Sequence, residues 1–250
     1  MNSRVGEIST SNEGYTMLLI KYNNSLDVII EFQDKYKAKL KCRYSHFKDG
    51  SVKNPYHKSV FNKGYIGVGN YTKKTHKAIY STWKNMLKRC YSKEFHNEEP
   101  TYKDCIVCEE WHNFQNFAKW YEENYYEIEG QKMCLDKDIL FKRNKIYSPQ
   151  TCMFVPKLIN NLFTKSDNTR GEYPIGISYH KKYNNLQVRC SIINNSIYLG
   201  RFPIDKPFEA FTIYKNFKEN YIKQVADEYK DLIPTELYEA MYRYEVEIDD

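Results

Sequence analysis

Side chains that can pair with nucleic-acid bases recur at alternate positions between residues 174 and 202. Gln187 and Arg189 carry amide and guanidinium groups, which bond bidentately to the major-groove edges of adenine and guanine. In a strand, Val188 and Cys190 would point to the opposite, apolar face. The predicted polar face consists of Ser178, His180, Gln187, Arg189, Ser191, Ser196, Tyr198 and Arg201. A narrow sheet of this kind fits the major groove of duplex DNA, which is about 12 Å wide.

A second group with chemical potential is Cys105-x-x-Cys108, whose spacing is that of half a zinc site. Strong zinc motifs contain two close pairs, and this sequence has one. Cys90, Cys134 and Cys152 are thiols that could complete a site after folding. We interpret the seven scattered cysteines as reduced, buried thiols, and we expect neither zinc nor a disulfide framework.

Three β runs and one helix would position the polar face. The periodicity predicts strands over 174–180, 187–192 and 196–201. A helix follows from about 207 to 230, and its apolar side carries Phe208, Phe211, Tyr214, Phe217, Tyr221 and Val225. Packed on the apolar side of the sheet, this helix leaves the polar side open to solvent.

The order of motifs in this segment resembles the AP2 DNA-binding domain. Ile175-Gly-Ile-Ser is followed by Gln187-Val-Arg, by Ile197-Tyr-Leu-Gly-Arg-Phe and, in the helix, by Glu209-Ala-Phe and Tyr214-Lys. The match covers about 174–220. The resemblance implies a three-stranded sheet, packed on one helix, that reads duplex DNA.

The middle of the chain is similar to the HNH homing endonucleases of phages. Its motifs run from Tyr80-Ser-Thr-Trp through Val107-Cys-Glu-Glu-Trp and Leu135-Asp-Lys-Asp to Tyr147-Ser-Pro-Gln and Asn160. The similarity spans about 79–163. It implies a ββα-metal hairpin and metal-dependent cleavage of phosphodiester bonds.

By this resemblance, Asp136 and Asn160 would ligate one divalent cation, Mg²⁺ or Mn²⁺, and Asp136, Lys137 and Asn160 would form the catalytic site. Where the family carries a histidine as general base, this chain has Lys137. A lysine can hold a phosphate, but at an ordinary pKa it is a poor base. The base is left open among Tyr80, His96, His112 and Tyr147.

These elements predict an α+β protein of three modules. Residues 1–75 form a small basic β-rich module, and residues 76–166 form the HNH-like ββα module with flanking helices. Residues 167–250 form the AP2-like module, a three-stranded sheet packed on a helix, with an acidic C-terminal tail. In the middle module we predict helices over about 79–90 and 110–126.

The HNH-like hairpin is predicted as strands around 134–140 and 152–155, with a helix that begins at Pro156. The N-terminal module contains predicted strands at 16–22 and 26–32. A further strand would align one row of cations, which either contacts phosphates or faces solvent: Lys35, Lys37, Lys39, Lys41 and Arg43.

The charge distribution favours a polyanionic partner. The first module carries 13 Lys+Arg against 6 Asp+Glu, and the whole chain has a net charge of +6. Cations that neutralise phosphates release counterions, which favours binding at low salt. No apolar run is long enough to span a membrane and the N-terminus has no secretory pattern, so we expect a protein of the host-cell cytoplasm.

Three functions remain open. The leading one is a phage-type homing endonuclease that binds duplex DNA selectively and cleaves it with a metal ion. The second is a catalytically dead DNA-binding regulator or nuclease relic. The third is a phage counter-defence protein that engages a host defence or nucleic-acid-handling complex. A homo-oligomer is compatible with each of them.

Overall fold

The computed structural model describes residues 4–163, 172–248 and 250. Its helices and small, mostly antiparallel sheets give the α+β class that the sequence predicts. The described residues form two compact units, 4–123 with 145–148 and 124–144 with most of 149–250. The predicted boundary at 166/167 lies outside the described residues, and the three-module division stays a prediction. No helix in the described ranges is long and apolar enough to cross a bilayer.

A four-stranded antiparallel sheet opens the first unit, with its strands in sequence order. It consists of β1 (Ile8–Thr10), β2 (Thr16–Asn24), β3 (Asp27–Phe32) and β4 (Lys39–Cys42), and helix α1 (Tyr44–Lys48) follows. Alternate side chains are fully buried, because one face of the sheet packs against α1. The core residues are Met17, Leu19, Val28, Ile30, Phe32 and Phe47.

The strand predicted through Lys35 and Arg43 is shorter than expected. The carboxylate of Asp34 accepts hydrogen bonds from the backbone N–H groups of Tyr36 and Lys37, at 3.0 and 3.1 Å. Lys37 adopts a φ of 50°. An aspartate that caps its own backbone in this way forms a turn, so only the second half of the segment joins the sheet.

Two lysines of the predicted cationic row have acidic partners on the neighbouring strand. The Lys39 ammonium lies 3.6 Å from the Glu31 carboxylate, and the Lys41 ammonium lies 2.9 Å from that of Asp27. The register pairs Lys39 with Glu31 across β3 and β4. This part of the row is therefore neutralised within the sheet.

Two tryptophans join the helices of the first unit. These helices are α2 (Lys77–Tyr91), α3 (Lys93–Glu98) and α4 (Phe114–Asn124), with β5 (Ile106–Val107) paired in parallel to β7 (Ile146–Tyr147). Trp83 of α2 is fully buried and its indole N–H donates to the Trp111 carbonyl at 2.7 Å. The periodicity that predicts α2 is confirmed.

Helix α4 begins later than the predicted residue 110. A 3₁₀ turn covers Glu109–His112, and Asn113 is extended with a ψ of 118°. Its side-chain oxygen accepts the Gln115 N–H at 3.0 Å, which caps the helix start in place of a missing helical partner. The buried residues of α4 are Phe114, Phe117, Ala118 and Trp120.

A hairpin followed by a helical turn opens the second unit. Strands β6 (Met133–Asp136) and β8 (Met153–Pro156) pair antiparallel, and α5 (Lys157–Asn160) follows directly. The predicted order of two strands and a helix is confirmed, with Pro156 just before the helix. Strand β6 ends at Asp136, four residues earlier than predicted, and α5 is a single turn.

The C-terminal sheet has three antiparallel strands in the order β11-β10-β9. They are β9 (Ile177–His180), β10 (Asn185–Ile192) and β11 (Asn195–Phe202), and helices α6 (Pro207–Tyr229) and α7 (Thr235–Arg243) follow. Leu186, Val188 and Cys190 are fully buried against Ala210 and Tyr214 of α6. The sheet-on-helix arrangement that the sequence predicts is therefore present.

Helix α6 serves two cores. Its first half covers the three-stranded sheet, whereas Ile222 and Val225 pack with Val155, Ile159 and Leu237. Phe208, predicted on the apolar side, is 71% exposed at the first turn of the helix. At this position most of the Phe208 side chain faces solvent rather than the core.

The acidic tail is folded against the hairpin. The Lys142 ammonium lies 2.8 Å from the Asp250 carboxylate, and the Arg143 guanidinium lies 2.6 Å from that of Glu247. Val246 is buried in the core beneath the three-stranded sheet. These contacts fasten the basic turn between β6 and β8 to the end of the chain.

Candidate nucleic-acid interface

The two faces of the C-terminal sheet differ in burial as the alternation predicts. On β10, Arg189 and Ser191 are exposed and Gln187 is half-buried, whereas Val188 and Cys190 are buried beneath α6. The remaining polar residues of the face are either exposed or, for His180, partly buried; they are Ser178, His180, Ser196, Tyr198 and Arg201.

Strand register arranges these residues in rows across the sheet. Ser178, Gln187 and Arg201 form one row that crosses all three strands. Arg189 pairs with Tyr198 in the next row, and Ser191 pairs with Ser196 in the last. Successive rows on one face lie roughly 7 Å apart along the strand. The polar groups therefore form regular rows across one face of the sheet.

A β-bulge brings Arg201 onto this face. Val188 pairs with Gly200 and Arg189 with Tyr198, so Leu199 is an extra residue on β11. Strict alternation from Ser196 and Tyr198 would place Arg201 on the helix side. One inserted residue inverts the alternation, and Gly200 takes a φ of 141° that other residues rarely adopt.

Both arginines lie over aromatic rings. The Arg201 guanidinium is 4.7 Å from the centre of the Tyr183 ring, and the Arg189 guanidinium is 5.5 Å from that of Tyr198. Within the described part of the chain, neither arginine forms an ion pair. When a guanidinium stacks on an aromatic ring, the N–H groups in the guanidinium plane stay available for an anionic or base-edge partner.

Tyr183 is a site residue that the alternation pattern missed. It lies in the short 3₁₀ turn Lys181–Tyr183 between β9 and β10, half exposed, with the Lys182 ammonium 5.2 Å from its ring centre. The His180 ring stacks on it at 4.8 Å. The sequence signal was the cluster His-Lys-Lys-Tyr in a turn, which periodicity does not evaluate.

His180 therefore packs against the Tyr183 ring and is only partly exposed on the polar face. Its Nδ1 is buried and has no hydrogen-bond partner among the described residues, and the same holds for the side-chain oxygen of its strand partner Asn185. His180 packs against Tyr183, and its contact with a base stays a prediction.

The hairpin holds the second group of predicted site residues. Asp136 ends β6, and one of its carboxylate oxygens accepts the backbone N–H groups of Asp138 and Ile139 at 2.9 and 2.7 Å. Burial raises the pKa of the Asp136 carboxyl to about 6, and the Asp138 carboxylate adds to this rise. The second oxygen of Asp136 is the atom left for a cation.

Both the side chain and the backbone carbonyl of Lys137 have bonding partners. Its side chain is 9% exposed, with the ammonium 3.2 Å from the Asp138 carboxylate. Its carbonyl accepts a hydrogen bond from the Asn144 side chain at 2.6 Å. With its ammonium beside the Asp138 carboxylate, Lys137 suits a cationic contact rather than the role of a general base.

Asn160 is the last residue of α5, the turn that packs against both hairpin strands. Asp136 and Asn160 thus belong to one small ββα element. Within the described ranges, no group of three or more His, Cys, Asp or Glu side chains is arranged to hold a metal ion. A cation at this hairpin would depend on Asp136, Asn160 and water.

The candidate bases lie in the first unit, whereas the hairpin lies in the second. Tyr147 is buried, and this burial raises its pKa well above the ordinary range. Burial lowers the pKa of His112, whose Nε2 lies 3.3 Å from the Tyr91 hydroxyl. His96 Nε2 lies 2.8 Å from the Arg89 carbonyl. Each of these three side chains is engaged in packing or local bonding.

The cysteines are free thiols throughout the described residues. Cys105 is buried, and burial raises the pKa of Cys108. A raised thiol pKa disfavours the thiolate that metals bind.

Comparison of the chain with family models, with curated proteins and with solved structures found no match.

Proposed function

We propose that the protein binds duplex DNA through the polar face of β9, β10 and β11. The observation that carries this proposal is the row of Ser178, Gln187 and Arg201 across three strands, beside the stacked pair Arg189 and Tyr198. A twisted three-stranded sheet fits the major groove, where glutamine and arginine read base edges.

The positive charge of the sheet face and the packing of α6 on its other side both favour duplex DNA as the partner. Arg189 and Arg201 have no carboxylate partner within the described residues, while α6 fills the opposite side of the sheet. Lys181 and Lys182 add two cations in the adjoining turn. Phosphates that meet these groups release counterions, so the affinity should fall steeply as salt is raised.

Fluorescence anisotropy with a labelled duplex tests the proposal. A combined Arg189→Ala and Arg201→Ala variant should lose at least about tenfold in affinity, since each bidentate contact contributes on the order of 1–3 kcal/mol. Its logarithmic salt dependence should also become shallower. Both side chains are exposed, so the variant should fold normally.

The matched control is Lys39→Ala with Lys41→Ala, which removes two cations that already have acidic partners. This control should bind duplex as the parent protein does. Equal losses in the two double variants would mean that net charge, rather than the sheet face, accounts for binding, and would refute the proposal.

A second function, metal-dependent phosphodiester cleavage, is favoured by one specific feature. The Asp136 carboxyl is buried beside Asp138 and its pKa is raised to about 6, and perturbed carboxyls cluster at functional sites. With Mg²⁺ or Mn²⁺ held by Asp136 and Asn160, the metal would stabilise the leaving oxygen while Lys137 contacts a phosphate.

Nicking of supercoiled plasmid with Mg²⁺ or Mn²⁺ tests this second function. Asp136→Ala and Asn160→Ala should abolish nicking while duplex affinity stays unchanged, because neither residue lies on the sheet face. A purified protein that binds duplex but never nicks it would instead be a non-catalytic DNA-binding protein.

A further inference from the structure

A cleft of about 540 Å³ lies within the first unit. The loop 53–61 and helix α2 contribute most of its lining, and Lys73 adds a side chain from the loop before α2. Pockets of 300–1,000 Å³ are typical of sites for small organic ligands. The charged and aromatic side chains of the lining indicate which class of ligand fits the cleft.

Three lysines from separate segments converge on this cleft: Lys53, Lys73 and Lys84. Within the described part of the chain, none of them forms an ion pair. The one acidic residue in the lining, Glu13, already accepts the backbone N–H of Asn54 at 2.8 Å. Three ammonium groups against the Glu13 carboxylate leave the described lining with a net positive charge, which favours an anionic ligand, and phosphate is the anion that lysine commonly binds.

Aromatic rings form another part of the lining. The Tyr80 ring packs against Trp83 and Phe114 at centroid distances of 5.7 and 5.5 Å, which fixes its orientation. The Lys73 ammonium lies 5.1 Å from the same ring centre. A flat heterocycle can stack on such a ring while its phosphate meets the ammonium.

Phe61 supplies a second ring from an unusual backbone position. Phe61 and Asn62 both have positive φ, 50° and 56°, in the turn between Val60 and Lys63. Two successive positive φ values define a type I′ turn, which prefers asparagine or glycine rather than phenylalanine. Strained residues of this kind cluster at functional sites, and this one places a phenyl ring in the cleft.

Polar groups around the rings are held in place. The Asn54 side chain is buried, donates to the Asp34 carboxylate at 2.8 Å and accepts the Tyr56 N–H at 2.9 Å. The His57 Nδ1 is 3.3 Å from the Tyr15 hydroxyl, which leaves Nε2 as the nitrogen for a ligand. The loop is thus a fixed wall.

We infer that this cleft binds a nucleoside phosphate, either as a free nucleotide or as the end of a nucleic-acid strand. The lysines meet the phosphate, and the Tyr80 and Phe61 rings meet the base. This site is separate from the duplex-binding face and does not depend on it. Its apolar and aromatic lining distinguishes it from a site for inorganic phosphate alone.

Isothermal titration calorimetry on the full chain tests the inference with four probes: ATP, tripolyphosphate, adenosine and a short single-stranded oligonucleotide. We expect ATP or the oligonucleotide to bind at least tenfold more tightly than tripolyphosphate or adenosine. Binding of the oligonucleotide without ATP identifies a strand end as the source, and binding of ATP identifies a free nucleotide.

Two site variants and two control variants distinguish binding at this cleft from binding at other cationic surfaces. Lys73→Ala with Lys84→Ala should weaken ATP or oligonucleotide binding at least tenfold, whereas Lys39→Ala with Lys41→Ala should leave it unchanged. Phe61→Asn suits the turn, so it should keep or raise the thermal midpoint and still weaken binding. Arg189→Ala with Arg201→Ala should leave ATP binding intact, which separates this inference from the proposed duplex-binding function.

The inference is overturned if neither ATP nor the oligonucleotide binds at millimolar concentration. Equal affinity for tripolyphosphate also overturns it, since the rings would then contribute nothing. Unchanged binding in the Lys73 and Lys84 double variant would place the ligand elsewhere and has the same consequence.

Discussion

Individual side chains on the C-terminal sheet are supported in different ways. Arg189 and Arg201 each rest over a tyrosine ring, which restricts the arginine without consuming its hydrogen-bonding capacity. His180 is stacked beneath Tyr183. Both arginines therefore keep hydrogen-bonding capacity for a ligand, and Tyr183 supports Arg201.

Asp136 combines a structural and a chemical feature in one residue. Its carboxylate caps the backbone after β6, yet it is buried near Asp138 and its pKa is raised to about 6 from an ordinary value of 3.8. The folded protein therefore holds the Asp136 proton more tightly than the unfolded chain does. Its contribution to stability is fully present below about pH 4 and is lost as the pH rises through about 6.

The first prediction concerns this titration. Asp136→Asn keeps an oxygen that can accept the two backbone N–H groups and removes the buried charge. The free energy of unfolding at pH 7 should rise by about 1–3 kcal/mol, and the decline in stability between pH 4 and 6 should become smaller. Chemical denaturation at several pH values measures both.

Magnesium gives a contrasting result if the hairpin holds a cation. A cation bound beside Asp136 favours its ionised form, so Mg²⁺ should raise the thermal midpoint of the parent protein and leave that of Asp136→Asn unchanged. The same midpoint shift in both proteins would place the cation at another site.

The sequence pattern predicted part of the sheet face and the helix beneath it, but not the stacking of the face residues on aromatic rings. Gln187, Arg189 and Tyr198 follow from alternation, because strand period alone decides their side. Arg201 reaches the face only through the bulge at Leu199, and bulges depend on pairing with a partner strand. The stacking of Tyr183 depends on the fold of a turn, which periodicity does not describe.

At the scale of elements, Gly176 joins the sheet to helix α6. It has a φ of 78°, and a Cβ atom there would lie 2.1 Å from the Tyr214 ring. The Gly176 carbonyl also accepts the Arg189 N–H at 2.9 Å. The backbone before β9 meets helix α6 at this contact. The close approach of Gly176 to Tyr214 therefore holds the sheet against the helix.

The second prediction tests that contact. Gly176→Ala should destabilise the second unit by about 2 kcal/mol or more, because both backbone strain and a clash with Tyr214 are introduced. Gly130→Ala is the matched control, since Gly130 has a φ of 72° with no atom within 4 Å of the added methyl group. It should cost about 1 kcal/mol, from strain alone. Equal losses in the two variants would contradict the packing argument.

Element types followed from periodicity, whereas element ends did not. Helices α2 and α6 and the strands β2, β3, β10 and β11 lie close to their predicted positions, because each has one clearly apolar face. The ends moved where a side chain caps the backbone, as with Asp34, Asn113 and Asp136. Such caps compete with strand or helix bonds, and a hydrophobic pattern does not record them.

At the scale of the whole molecule, some cations have acidic partners that neutralise them and others do not. Lys39 and Lys41 are paired with acids of β3, and Lys142 and Arg143 with acids of the tail. The lysines of the first-unit cleft and the two arginines of the sheet face have no such partners within the described ranges. The cleft and the sheet face are thus two surfaces whose cations keep their charge within a chain of net charge +6.

This distribution predicts which variants change the salt dependence of duplex binding. Arg189→Ala and Arg201→Ala should each make the slope of log affinity against log salt shallower, because each removes a cation from the duplex-binding face. Lys142→Ala should not, because that ammonium is bonded to Asp250 and to the Glu245 carbonyl. Affinities measured by anisotropy across a salt series give these slopes, and an equal reduction by Lys142→Ala would contradict the assignment.

The most direct test of the duplex-binding claim is an amide-proton NMR titration of the whole chain with a short DNA duplex. The account predicts shifts concentrated in β9, β10 and β11 and in the turn 181–183, with the amides of β1 to β4 unchanged. A duplex that binds while the amides of the three C-terminal strands stay unshifted would contradict it.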